Sequence, residues 1–381
     1  MQIESSSLFD GKVAAEARWK MHGESAYHYL KVANKAPIQR IRQVLDAWYI
    51  RFPEFHTRQW LGRFRSLSDA QHLGALFEIF NRALLDAHGY SVEHEPLGSH
   101  SVTTRPEFAV THADGEFLLE CTTTLGGSYE VRREKLTQGL LQTIDRIKPP
   151  GLLFSVTVNR VGSTARFSAL HQMLKTNIRA LKSEADLALA QLIPWEWNES
   201  GWDVEIKPIP IPTENYESSV GMFMSSAEEV NIRNHIFNSL KAKAGKYGKQ
   251  ERSYVIALGY YGEPLGAEEV VSALFGSKRW VIGSFGAQNG SRAGDGFWKE
   301  SQNTRVSAVI AASNIYAHTI VSREAPVTLY HNPWAALPFP QNLWKGDQVI
   351  PNRLTGKLDH LKGKSIREIL EFPAEWPFWE Y

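Results

Sequence analysis

The chain has 381 residues, 43% of them apolar and 22% charged, with a net charge of +1. That balance excludes a disordered chain and excludes a molecule that adheres to polyanions through overall charge alone. No apolar stretch approaches the ~20 residues that span a bilayer, and the N-terminal residues lack the basic-then-apolar pattern of a secretory signal, so the expectation is a soluble cytoplasmic protein with no membrane partner.

Residues 1–66 read as a helical leader, in which Ile38, Ile41, Leu45, Trp48 and Tyr49 recur at helical spacing until Pro53 breaks the pattern. The block 67–160 is the most regular. Ser68 or Asp69 is placed to cap a helix with Leu73, Leu76, Phe77, Phe80 and Leu84 on one face, and Gly89 to end it. Residues 90–94 read as a strand, and a polar loop then runs to Arg105-Pro106. Residues 107–111 and 116–122 read as two strands joined at Ala113-Asp114-Gly115, whose Asp-Gly pair favours a tight hairpin. Gly126-Gly127-Ser128 opens a second helix, with Leu136, Leu140, Ile144 and Ile147 on one face. Pro149-Pro150-Gly151 stops it before a buried-type strand at 152–158. This order predicts an α/β fold with a mixed sheet flanked by helices.

Residues 161–381 read as an α/β C-terminal region. Helices are expected at 165–190 and 227–245, and strands at 202–211, 254–258, 306–311 and 326–330, with 254–258 extending the sheet of the preceding block. Residues 282–296 read as a Gly-rich loop, and 372–381 as an aromatic tail lying on the body. The single cysteine, Cys121, rules out an intramolecular disulfide and fits a reducing compartment.

Charge is uneven. Residues 1–68 hold 11 Lys and Arg against 6 Asp and Glu, and residues 231–252 hold Arg233, Lys241, Lys243, Lys246, Lys249 and Arg252 against Glu251 alone. Both stretches suit a phosphate backbone, and both equally suit a solvated helix face. Trp60 and Trp298 are candidates for base contacts as well as for core packing.

The chemistry concentrates on Glu107 and Glu120. If Asp114-Gly115 is the two-residue turn, Glu107 faces Thr122, and Glu120 is its diagonal neighbour on the same face. Alternation puts Glu116, Leu118 and Glu120 on one face, and Phe117, Leu119 and Cys121 on the other, which makes Cys121 a core residue. An acid near the end of an apolar strand needs a partner or a metal. Converging carboxylates favour a hard cation, Mg²⁺ or Mn²⁺, which polarises a phosphate and activates water. The plainer alternative is a hairpin with one solvent-facing acid on each strand, and Glu78 paired with Arg82 one turn on.

Arg105-Pro106-Glu107-Phe108, with Glu120-Cys121-Thr122 beginning thirteen residues after Glu107, resembles the Pro-Asp…(Asp/Glu)-x-Lys motif of the restriction-endonuclease-like superfamily. Phe77-Glu78-Ile79-Phe80 is similar to its acidic helix, and the resemblance covers residues 69–158 by order and spacing of elements. The stretch 241–257 and Asn332-Pro333 are similar to a bacterial branch of that superfamily. The resemblance implies a restriction-endonuclease-like core and metal-dependent hydrolysis of phosphodiester bonds, of DNA rather than RNA, in restriction or phage defence. Glu107 and Glu120 would hold the metal, with Glu78 completing the site directly or through a water.

Thr122 stands where the superfamily has the lysine that orients the water and offsets charge in the transition state. Losing one such stabiliser costs about 10²–10³ in rate. Lys135, on a polar helix face with Gln138 and Gln142, is the candidate replacement, so Glu78, Glu107, Glu120, Thr122 and Lys135 form the catalytic set. Arg105, Arg132, Arg133, Gln138, Lys241 and Lys243 are the expected nucleic-acid contacts. The missing lysine is the feature that favours the alternative, an inactive nuclease-fold module that binds nucleic acid or a protein partner, a second copy included. Asp203-Val204-Glu205-Ile206-Lys207 carries a full Glu-x-Lys, but its alternation predicts a half-exposed antiparallel strand. The chain has no P-loop, zinc-ligand cluster or nucleophile elbow.

Overall fold

The computed structural model describes residues 7–9, 18, 20–21, 23–96, 105–125, 128–164, 166–212, 218–225, 232–248, 251–261, 267–283, 286–320 and 326–373. The N-terminal helices are α1 (Ala26–Val32), α2 (Ala36–Arg51), α3 (Arg58–Phe64) and α4 (Asp69–Ala87). Then come β1 (Ser91–His94), β2 (Phe108–His112), β3 (Gly115–Thr124), α5 (Ser128–Asp145), β4 (Leu152–Arg160), α6 (Ser168–Ala180) and α7 (Glu184–Leu192). Next are β5 (Trp195–Trp197), β6 (Asp203–Pro210), β7 (Val220–Ser225), α8 (Ile232–Ala244), β8 (Ser253–Tyr260), α9 (Ala267–Phe275), β9 (Lys278–Gly283) and β10 (Gly286–Arg292). The chain continues through β11 (Val306–Ser313), α10 (Ala317–Ile320), β12 (Val327–His331), β13 (Asp347–Pro351), β14 (Leu358–Leu361) and α11 (Ile366–Ile369). The fold is mixed α/β, and among the described residues no helix is long and apolar enough to cross a membrane.

The chain divides into two compact units. One comprises Met1–Ala15, Ala26–Gly126 and Asn231–Tyr381; the other comprises Glu16–Ser25 and Gly127–Val230. In the first, eight strands run in the order β1-β2-β3-β8-β11-β12-β13-β14. β8 lies parallel to β3, with Glu120 beside Ile256, and β11 lies parallel to β8. All eight residues of β8 and of β11 are buried, as parallel strands covered on both faces must be. One face carries α4, whose Leu73, Leu76, Phe77 and Phe80 share a core with Phe117, Leu119, Cys121, Val255 and Ala257. The other carries α8 and α9, where Ile236, Leu240 and Val270 pack with Leu118, Tyr254 and Ile256. Gly89 ends α4 in the left-handed region at φ 84°, which a side chain would resist. Ser68 occupies the N-cap position without a side-chain cap bond, and Asp69 instead accepts the Ala26 amide.

In the second unit, β5-β6-β4-β7 form a four-stranded sheet. Helix α5 and strand β4, expected to complete the sheet of 67–160, therefore belong elsewhere. Phe154, Val156 and Val158 of β4 alternate inward and meet Val204 and Ile206 of its antiparallel neighbour β6, with Trp202 in the same core. The fully apolar β8 takes the place beside β3 instead. β6 has the predicted half-exposed pattern, with Asp203, Glu205 and Lys207 turned outward. The Gly-rich stretch expected as a loop is the antiparallel β9–β10 pair, and β13 and β14 lengthen the first sheet beyond expectation. The aromatic tail from residue 374 onward lies outside the described residues.

Candidate functional site

The β2–β3 hairpin pairs Phe108 with Leu119 and closes at His112 opposite Gly115. Its two-residue turn is Ala113-Asp114, not Asp114-Gly115, and the Asp114 amide donates to His112 Nδ1 at 3.2 Å. The register is thus shifted by two residues from the expectation. Extended one step beyond the last ladder pair, Phe108 with Leu119, that register sets Glu107 opposite Glu120 rather than Thr122. A shift of two keeps every side chain on its face, so Leu118 and Glu120 point to the α8 side and Cys121 to the α4 side. Burial pushes the Cys121 thiol up, which keeps it in the unreactive form.

Glu120 is completely buried, and a buried carboxylate is tolerable only with partners. It has three. Lys243 Nζ and Lys246 Nζ donate to its Oε1 at 2.6 and 2.9 Å. The Tyr247 hydroxyl donates toward its Oε2 and lies 2.7 Å from the Arg105 carbonyl oxygen. The donors stand three and four residues apart, so the last turn of α8 and the turn after it present them on one side. Tyr254 fixes that helix end, its hydroxyl donating to the Lys243 carbonyl at 3.2 Å and its ring meeting Tyr247 edge-on. Burial, and then the Glu120 carboxylate beside it, raise the Tyr247 hydroxyl far above the ordinary phenol range, so it remains a donor.

Glu78 projects from α4 and is also paired. Arg63, near the end of α3, donates to both its oxygens at 2.7 and 2.8 Å, the fork geometry that favours arginine over lysine. The i+4 partner considered from sequence, Arg82, instead holds Glu54 at 2.7 Å. Glu107 is the exception. Among the described residues its carboxylate has no hydrogen-bond partner. Burial first, then the negative charges of Glu78 and Glu120, push it up to about 8.

Other expected residues fall differently. Thr122 is half-buried on β3, two positions after Glu120 and on the same face, beside Leu258. Lys135, Gln138, Arg132 and Arg133 lie on α5 in the second unit, where Lys135 is exposed, Arg132 donates to the Ser163 carbonyl and Gln138 accepts the Gly23 amide. The ammonium groups on Glu120 come from Lys243 of α8, expected only as a backbone contact, and from Lys246 in the turn after it. Lys241 and Arg105 are exposed. Three of the basic residues in 1–68 are committed to internal acceptors: Arg42 to the Leu30 and Ala33 carbonyls, Arg63 to Glu78, Arg65 to Ser7 and Leu8. Trp60 and Trp298 are buried core residues, out of reach of bases. Asn332 shapes the loop after β12, donating to the Val306 carbonyl at 2.7 Å and accepting the Trp334 amide.

Among the described residues no three His, Cys, Asp or Glu side chains are gathered into a metal-holding group. Glu107 and Glu120 nonetheless form a pair of oxygen donors suited to a hard divalent cation. Glu107 has no hydrogen-bond partner among the described residues, and burial with the charges of Glu78 and Glu120 outweighs the opposing charges of Lys243 and Arg63 on it. No family model, curated protein or solved structure matches this chain.

Proposed function

We propose that the first unit is a restriction-endonuclease-like core and that the protein is a metal-dependent nuclease acting on DNA, in restriction or phage defence. The observation that carries this reading is the pair of ammonium groups 2.6 and 2.9 Å from the buried Glu120, across the hairpin from Glu107. They supply, from a helix more than a hundred residues downstream in the chain, the positive charge that Thr122 cannot. Glu107 and Glu120 would hold Mg²⁺ or Mn²⁺, with Glu78 acting through a water. The cation would polarise the phosphate and make its bound water more acidic. Lys243 and Lys246 orient the attacking water and offset charge on the phosphate as the transition state forms. Tyr247 fixes the Glu120 carboxylate, and Arg63 fixes Glu78. Exposed Arg105, whose carbonyl lies 2.7 Å from the Tyr247 hydroxyl, is beside the site and suits the substrate backbone.

The test is cleavage of plasmid and single-stranded DNA with Mg²⁺ or Mn²⁺. Glu120→Ala is expected to abolish it, Lys243→Ala to slow it by about 10²–10³, and Lys135→Ala to leave it unchanged. A second reading is an inactive module that binds nucleic acid, a protein partner or a second copy. It is favoured by the saturation of Glu120 and Glu78 with side-chain donors. No cleavage by folded wild type, together with DNA binding that survives Glu120→Ala, selects it.

A further inference from the structure

Both lysines converge on one atom. Lys243 and Lys246 share Oε1 of Glu120, while Tyr247 takes Oε2. A single carboxylate thus faces two ammonium groups, and both lysine side chains are partly exposed, at 25% and 32%, while Glu120 has no exposure at all. The carboxylate cannot leave, but the lysines can. A divalent cation taking the same oxygen would sit within van der Waals distance of both ammoniums, where like charges repel strongly because little water screens them.

We infer that Lys243 and Lys246 are a resident counter-cation for Glu120, and that a divalent metal enters the site only by displacing an ammonium from that oxygen. The inference rests on the reading that Glu107 and Glu120 hold a metal. It gives the lysines two opposed effects: they stabilise the transition state, and they weaken metal binding in the free protein. A lysine lifted from Glu120 is free to meet a phosphate, so metal entry releases the group that receives the substrate. The clamp also gives a fully buried carboxylate three donors before any metal arrives.

The experiment is a Mn²⁺ titration of the full chain by calorimetry, without nucleic acid. Wild type is compared with Lys243→Met, Lys246→Met, Lys243→Arg and Tyr247→Phe, and Glu107→Gln identifies the site by removing its signal. Folding of each variant is checked by circular dichroism, and Lys246→Gln replaces a methionine variant that fails to fold. Each charge-removing variant is expected to bind Mn²⁺ roughly tenfold tighter, with Lys243→Arg remaining near wild type. Tyr247→Phe removes a bond to Glu120 without changing charge and is expected to stay within about twofold. Lysine variants that bind no tighter than wild type overturn the inference and leave the metal site standing. A gain in Tyr247→Phe equal to theirs also overturns it, because loosening of the carboxylate then accounts for the effect. No Mn²⁺ bound by any chain, wild type included, overturns the metal-site reading and the inference together.

Discussion

Glu107 is the residue whose electrostatics set a measurable pH signature. In the unfolded chain it titrates near 4.5, and in the folded protein burial and its acidic neighbours hold the proton on to about 8. The folded state therefore binds the extra proton between those values, and stability falls as pH rises through that window. The contribution is complete below the unfolded value and lost once the folded value is passed. Glu107→Gln removes the titration, so its melting temperature is expected to fall less than that of wild type between pH 5 and pH 8. Parallel melting curves for the two proteins across that range would overturn this account of Glu107. On the metal-site reading a divalent cation would act in the opposite sense, releasing the proton as it binds. Arg63 and Glu78 illustrate the other treatment of a buried acid, in which a forked partner donates to both oxygens.

At the scale of elements, α4 lies close against β8 because Gly259 leaves room for Phe77. A Cβ at Gly259 would come within 3.1 Å of the Phe77 ring. Gly259→Val is expected to destabilise the protein by about 1–3 kcal/mol through overpacking, read as a lowered denaturation midpoint. An unchanged midpoint would mean that the helix shifts freely on the sheet. The same elements show what was readable beforehand. The apolar spacing of α4, the hairpin and the all-apolar run of β8 are local patterns, and each is visible in the residues that form it. The turn was displaced by one position because His112 holds the Asp114 amide, a side-chain contact that outweighs the general preference for Asp-Gly. The site's cations were misassigned because Lys135 is near Glu120 in sequence, whereas Lys243 is brought to it only by the β3–β8 pairing. The one local hint was the spacing of Lys243, Lys246 and Tyr247, which puts three donors on one side of a helix end. β13 and β14 are short and half-exposed, and nothing in their composition distinguishes them from loop.

For the whole molecule, the division into two units has a thermodynamic counterpart. The core of the second unit, built around Phe154, Trp197, Trp202 and Val204, is drawn entirely from its own residues. Trp202→Ala is expected to cost that unit about 3–5 kcal/mol and to speed amide hydrogen exchange in β4 and β6. Protection of β3 and β8 should remain as in wild type, because local stability follows the cooperative unit to which a strand belongs. Loss of protection in all four strands together would show that the two units unfold as one.

The same arrangement sets a schedule for the chain as it leaves the ribosome. Lys243 follows Glu120 by 123 residues, and the Gly127–Val230 segment of the second unit is translated between them. At about 5–20 residues per second, roughly 6–25 s of elongation separate the carboxylate from its lysines. Throughout that interval β3 has neither its parallel neighbour nor its cations, so the nascent protein carries acids without the groups that complete them. On the nuclease reading, the acids stay incomplete until residues 243–260 have been translated.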